Sequence, residues 1–146
     1  MTAIVYVDTS ALMKQYVGEA GSSQTIAFLR EADYLGSSIL VKVELVAAIA
    51  KVLRMKLFDP QSANAMVSQF NEDSINLQMI SVDHAVVRRA ANLAWELQLR
   101  GYDAIHLASA LVWKEDLGEE ITLATFDRQL WEAAHKVNLA TWPLVL

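Results

Sequence analysis

Three times in this chain a short apolar run ends on an aspartate and a helix-forming stretch begins at once: "IVYVDTSALMK" at Asp8, "INLQMISVDHAVV" at Asp83 and "ITLATFDRQLW" at Asp127. Few architectures accept such a repeated unit. Strands joined through helices run parallel, because the crossover returns the chain to the same end of the sheet. A parallel sheet must be covered on both faces, so the expected class is α/β, with a mostly parallel central sheet flanked by helices. Ligands of such sheets sit beyond the carboxyl ends of the strands, and that is where these aspartates fall.

The remaining pattern agrees. Residues 4–7, 75–82 and 121–126 are expected as strands, and 140–146 as a short edge strand, since Pro143 cannot donate to a central ladder. Helices are expected over 9–18, 22–33, 41–56, 60–73, 84–99, from Asp103 to 117, and over the "DRQLWEAAHKV" stretch. Asp59 and Pro60 supply a cap and first turn, and Gly118 a stop. No repeat, low-complexity tract or Pro/Gly-rich linker divides the chain, so residues 1–146 are expected to form a single domain.

Composition narrows the function classes. With 17 acidic against 12 basic residues the net charge is -5, which argues against adhesion to nucleic acid by bulk charge and leaves only local contacts. The absence of Cys removes disulfides and thiolate zinc sites and suits a reducing compartment. No apolar run approaches the roughly 18 residues of a spanning helix, and the N-terminus has no basic leader, so the cytoplasm is the expected location. The chain is 54% hydrophobic, from which some apolar surface is expected to be covered by another chain.

The acids are the candidate chemistry. Capping alone accounts for an Asp at a helix start, because it accepts backbone N–H bonds at the positive end of the dipole. That account is weakest for Asp8, which ends the most apolar strand and has Thr9 and Ser10 beside it to cap equally well. Capping cannot explain Glu44, an acid inside the otherwise apolar "ILVKVELVAAIA". Two readings of Glu44 stand open: a half-exposed acid paired with Lys51 or a neighbouring helix, or a site residue. If Asp8, Glu44, Asp103 and Asp127 converge, their mutual repulsion calls for a cation. An all-oxygen donor set favours Mg²⁺ or Mn²⁺ over Zn²⁺ and suits cleavage of phosphodiesters. His106, three residues after Asp103, is expected beside the site or hydrogen-bonded in the core. Lys51, with Lys42, Arg54 and Lys56, makes the one locally basic stretch where a phosphate backbone could be guided in. The tryptophans Trp95, Trp113 and Trp131 lie in helices, where core or subunit packing is their expected task.

Taken in order, "YVDTSALMK", "ILVKVELVAA", "RGYDAIHLASA" and "LATFDRQL" resemble the four acidic motifs of PIN-domain nucleases, most closely the VapC-type ribonuclease toxins. The resemblance runs from residue 4 to about residue 130 and implies a single PIN-like domain. By position it puts the catalytic, metal-binding carboxylates on Asp8, Glu44, Asp103 and Asp127, and positioners of water or phosphate on Ser10 and Thr125. Asp83 matches no such position and is left as a cap. The resemblance further implies Mg²⁺-dependent endonucleolytic cleavage of RNA, a homodimer, and a cognate antitoxin that covers the site. One departure is that Val41, Lys42 and Val43 precede Glu44 where a hydroxyl is usual, with Ser37 and Ser38 further back. The competing reading is a catalytically silent PIN-like domain that only binds a partner. A phosphatase of the haloacid-dehalogenase type is disfavoured, because Ser10 stands where it needs a second Asp.

Overall fold

The computed structural model describes residues 2–146. Its centre is β1 (Ile4–Val7), buried along its whole length. Alternate side chains divide between two cores, as the two-residue period of a strand requires: Ile4 and Tyr6 enter one, Val5 and Val7 the other. On one edge of β1 pairing continues to β2 (Tyr34–Ser38) and β3 (Gln78–Ile80). On the opposite edge it continues to β4 (Thr122–Ala124) and β5 (Ala140–Trp142), giving the order β3-β2-β1-β4-β5. Every pairing is parallel, with Val5 between Leu35 and Thr122. The order reverses direction at β1, so the crevice between the ends of β1 and β4 is the topological switch point at which open α/β sheets take ligands.

Between the strands the chain forms α1 (Thr9–Met13), α2 (Ser22–Arg30), α3 (Val41–Arg54), α4 (Pro60–Asp73), α5 (His84–Leu97), α6 (Gly101–Leu117) and α7 (Arg128–Lys136). The Tyr6 core gathers α5, α6 and α7 through Val86, Leu107 and Leu130, and the Val7 core gathers α1, α3 and α4 through Leu12, Leu45 and Phe70. Thus the sheet is covered on both faces, as its parallel pairing demands.

β2 is a strand the sequence does not declare, since "YLGSS" offers no alternation and ends in three small residues. Its small residues are required by what crosses it. A Cβ on Gly36 would stand 2.7–3.0 Å from three ring atoms of Trp113, closer than side-chain contacts allow, so the α6 indole lies directly on the bare backbone. One residue on, the Ser37 hydroxyl donates to the Val7 carbonyl at 2.6 Å, fastening β2 to β1 beside the site.

Asp8, Asp59, Asp83 and Asp127 each cap a helix, accepting from Ala11, Ser62, Val86 and Leu130 N–H respectively. Asp103 does not start its helix. The N-cap of α6 is Arg100, and Asp103 lies inside the first turn. The cause is that Gly101 and Tyr102, poor helix signals, are carried into the helix by the packing of the eight buried residues that follow. The helix over 9–18 is also shorter than expected, ending at Met13. Trp113 is buried, whereas Trp95 is 81% exposed, contrary to a core role for it.

Candidate active site

Asp8 leaves the end of β1 with its carboxylate nearly buried, at 4% exposure. Such a group is costly unless its lone pairs are used, and here they are. Oδ1 accepts from Ala11 N–H at 2.9 Å and from Ser10 Oγ at 2.8 Å, and Oδ2 accepts from Thr125 Oγ1 at 2.5 Å. Burial still pushes the Asp8 carboxyl above its usual range, against the electrostatic pull of nearby His106 and these hydrogen bonds. Ser10 also accepts from Phe126 N–H at 2.8 Å, and Thr125 Oγ1 accepts from Asp127 N–H at 3.0 Å. The two hydroxyls therefore lock the end of β1 to the end of β4. Capping and site are not alternatives for Asp8: one oxygen caps α1 while the carboxylate as a whole stands in the switch-point crevice.

Glu44 lies in the first turn of α3, and its partner is not Lys51 but a neighbouring helix. Its Oε1 is 2.7 Å from His106 Nε2 on α6. His106 Nδ1 is in turn 2.7 Å from the Tyr6 hydroxyl, which accepts the Ser38 backbone N–H at 3.0 Å. Burial pushes the Tyr6 phenol far up, so it keeps its proton. When neutral His106 donates Nε2–H to the Glu44 carboxylate, its Nδ1 is left to accept from Tyr6, and the chain Tyr6 to His106 to Glu44 is continuous. His106 is thus both beside the site and bonded in the core. Lys51 lies on the exposed side of α3, and no ion pair joins it to Glu44 among the described residues.

Asp103 and Asp127 share a partner that the sequence reading overlooked. The Arg100 guanidinium sits between them, with Nη2 2.9 Å from Asp103 and 2.6 Å from Asp127, and Nε 3.0 Å from Asp103. Burial raises the Asp103 carboxyl, the Asp127 charge raises it further, and Arg100 pulls it back. The available signal was spacing: an Arg three residues before an acid at a helix start faces that acid. Glu44, Arg100, Gly101, Tyr102 and Asp103 line one open cleft of about 350 Å³.

All four sequence-chosen acids are therefore brought to the carboxyl end of the sheet, from four separate elements. They do not form a closed cage: among the described residues, no three Asp, Glu or His side chains lie close enough together to hold a metal ion as they stand. The donor chemistry nevertheless fits a hard divalent cation. Every candidate ligand is a carboxylate, and the Asp103 and Asp127 pair already holds a positive charge between its members.

The raised carboxyls predict how the metal-free protein responds to acid. Where the folded value exceeds the unfolded one, near 3.8 for Asp8 and Asp103, the native state binds more protons, so stability falls as pH rises through the folded value. Melting in EDTA should accordingly give a higher Tm on the acid side of the folded values than above them, the loss setting in as pH rises past about 3.8. The difference should shrink in Asp103→Asn.

Comparison with known proteins agrees with this geometry. The model of the PIN domain matches residues 5–136. Ribonuclease VapC45 of Mycobacterium tuberculosis (strain CDC 1551 / Oshkosh) is 32% identical over 145 residues, covering 98% of this chain and 97% of its own. Ribonuclease VapC46 of Mycobacterium tuberculosis (strain ATCC 25618 / H37Rv) is 32% identical over 138 residues, covering 94% of this chain and 95% of its own. Among solved structures, FitAcB from Neisseria gonorrhoeae superposes with a TM-score of 0.69 at 17% identity, covering 94% of this chain and 96% of its own. VapBC2 from Rickettsia felis, bound to a DNA fragment from its promoter, gives a TM-score of 0.65 at 14% identity, covering 94% and 96%. With the family's model matching residues 5–136 and near-full-length relatives at 32% identity, this chain belongs to the PIN-domain family.

Proposed function

We propose that this protein is a divalent-metal-dependent endoribonuclease and the toxin of a toxin–antitoxin pair. The observation that carries the reading is the meeting of Asp8, Glu44, Asp103 and Asp127 at one end of the sheet, in a chain whose relatives are named ribonucleases. Mg²⁺, or Mn²⁺ in its place, would be held by these carboxylates and would supply activation of water and relief of charge on a phosphodiester. The chain's own residues do the rest. Ser10 and Thr125 fix the direction of Asp8, His106 fixes one oxygen of Glu44, and the exposed Lys42, Lys51 and Arg54 of α3 supply local positive charge for an RNA backbone.

The proposed partners follow from the same site and surface. An antitoxin chain that covers the acidic end of the sheet would silence the enzyme. A homodimer would cover exposed apolar residues such as Val43, Val87 and Trp95. No helix among the described residues is long and apolar enough to cross a membrane, and the cytoplasm is the proposed compartment. Purified protein should cut RNA internally with Mg²⁺ or Mn²⁺ and stop on addition of EDTA. Cleavage that persists in EDTA would overturn the metal-dependent reading, and none with any divalent ion would favour the silent partner-binding domain.

A further inference from the structure

The Arg100 guanidinium lies where two candidate metal ligands face each other. Its Nε donates a hydrogen bond to Asp103, and its Nη2, 2.9 Å from the same carboxylate oxygen as an ion pair, donates to Asp127. A fork held this way aims its donors at the two carboxylates in one fixed plane, which the freely rotating ammonium of Lys does not. The Arg100 side chain is itself 67% exposed, against 14% for that of Asp103 and 26% for that of Asp127. The acids are thus partly shielded from water while the cation between them is free to leave toward solvent. Both carboxylates meet the same guanidinium nitrogen, so the pair would repel without a positive charge.

We propose that Arg100 is a resident counter-ion for the Asp103 and Asp127 pair, and that a divalent cation must displace it to bind there. This rests on the metal-dependent reading above and adds a regulation to it: the chain occupies its own metal site when the metal is scarce. Loss of Arg100 then has opposite effects on the two states. The metal-free state loses the charge that keeps two acids together, and the metal-bound state loses nothing at that position. Metal affinity should therefore rise when the residue is removed, whereas generic damage to a site lowers it.

The experiment uses the full chain and Mn²⁺ as the probe. Free Mn²⁺ is followed by its six-line EPR signal, and metal-free and metal-loaded Tm are measured alongside. In Arg100→Gln, which removes the charge at an exposed position, the apparent Kd for Mn²⁺ should tighten by about 5- to 10-fold, the low end of the usual scale for coupling between two ligands. The metal-free Tm should fall and the gain in Tm on adding Mn²⁺ should grow. Arg100→Lys, with charge but no fork, should lie between the two. An unchanged or weaker Kd in Arg100→Gln, with wild type binding normally, would overturn the displacement while leaving the metal reading intact. Failure of both proteins to bind Mn²⁺ would remove the metal reading and this inference with it, and Asp103→Asn, expected to bind weakly, separates site binding from background.

Discussion

Asp8→Asn is expected to lower RNA cleavage by more than about 100-fold, beyond what losing an outer-shell partner of a metal costs, while the metal-free chain melts no lower than wild type. The two effects have one cause. Asp8 holds a charge in a place that is 4% exposed, and burial pushes its carboxyl up because the ionised form is poorly solvated there. Asn keeps an acceptor for Ala11 N–H, and the Ser10 and Thr125 hydroxyls can turn to suit an amide, so the cap of α1 and the link from β1 to β4 survive. What is lost is negative charge. Gel assays with Mg²⁺ and melts in EDTA, run on the same preparations, check both halves. If Asp8→Asn cleaves as fast as wild type, the activity comes from another site or a contaminant. If its metal-free Tm drops steeply, the carboxylate is a structural part rather than a functional burden. A site that costs stability in its empty state is expected where activity has been retained at the expense of the fold.

The second large effect is on the fold. Gly36→Ala places a methyl group within 3.0 Å of the Trp113 ring, and overpacking of this kind costs about 1–3 kcal/mol. Trp113→Ala leaves a cavity instead and should cost about 3–5 kcal/mol. Because the two sites touch, their effects should not add. Gly36→Ala with Trp113→Leu should be more stable than the sum of the single changes predicts, since the smaller side chain makes room for the methyl. Urea unfolding of the four proteins measures the coupling, and strict additivity would show that the indole moves aside freely. The contact bears on function because α6, which Trp113 seats on β2, also carries Asp103 and His106. A loosened α6 should therefore weaken Mn²⁺ binding before it unfolds the chain.

Residues whose roles are local were legible in the sequence. β1 could be recognised from four strand-prone residues, α4 from Asp59 and Pro60, and the caps at Asp83 and Asp127 from their place before a helix. Glu44 stood out because no local role accounts for an acid there. β2 was hidden, since Gly36 and Ser37 are chosen by Trp113 and by the Val7 carbonyl, both distant in sequence. The beginning of α6 was misjudged for a similar reason: packing downstream draws Gly101 and Tyr102 into the helix. The Tyr6, His106 and Glu44 chain joins three elements and could not be read before they were placed together. Arg100 was the exception, a neighbour of Asp103 at helical spacing whose meaning depended on Asp127 arriving from the other side.

The order of the sheet has a consequence during synthesis. β1 emerges first, yet its partner β4 comes from residues 122–124, and Asp127 is later still. The Asp8 carboxylate cannot receive Thr125, nor Asp103 its facing acid, until nearly the whole chain has left the ribosome. A nascent chain therefore carries three of the four acids without the enclosure that makes them a site. The proposed nuclease site is thus completed only once the segment carrying Thr125 and Asp127 has folded against β1.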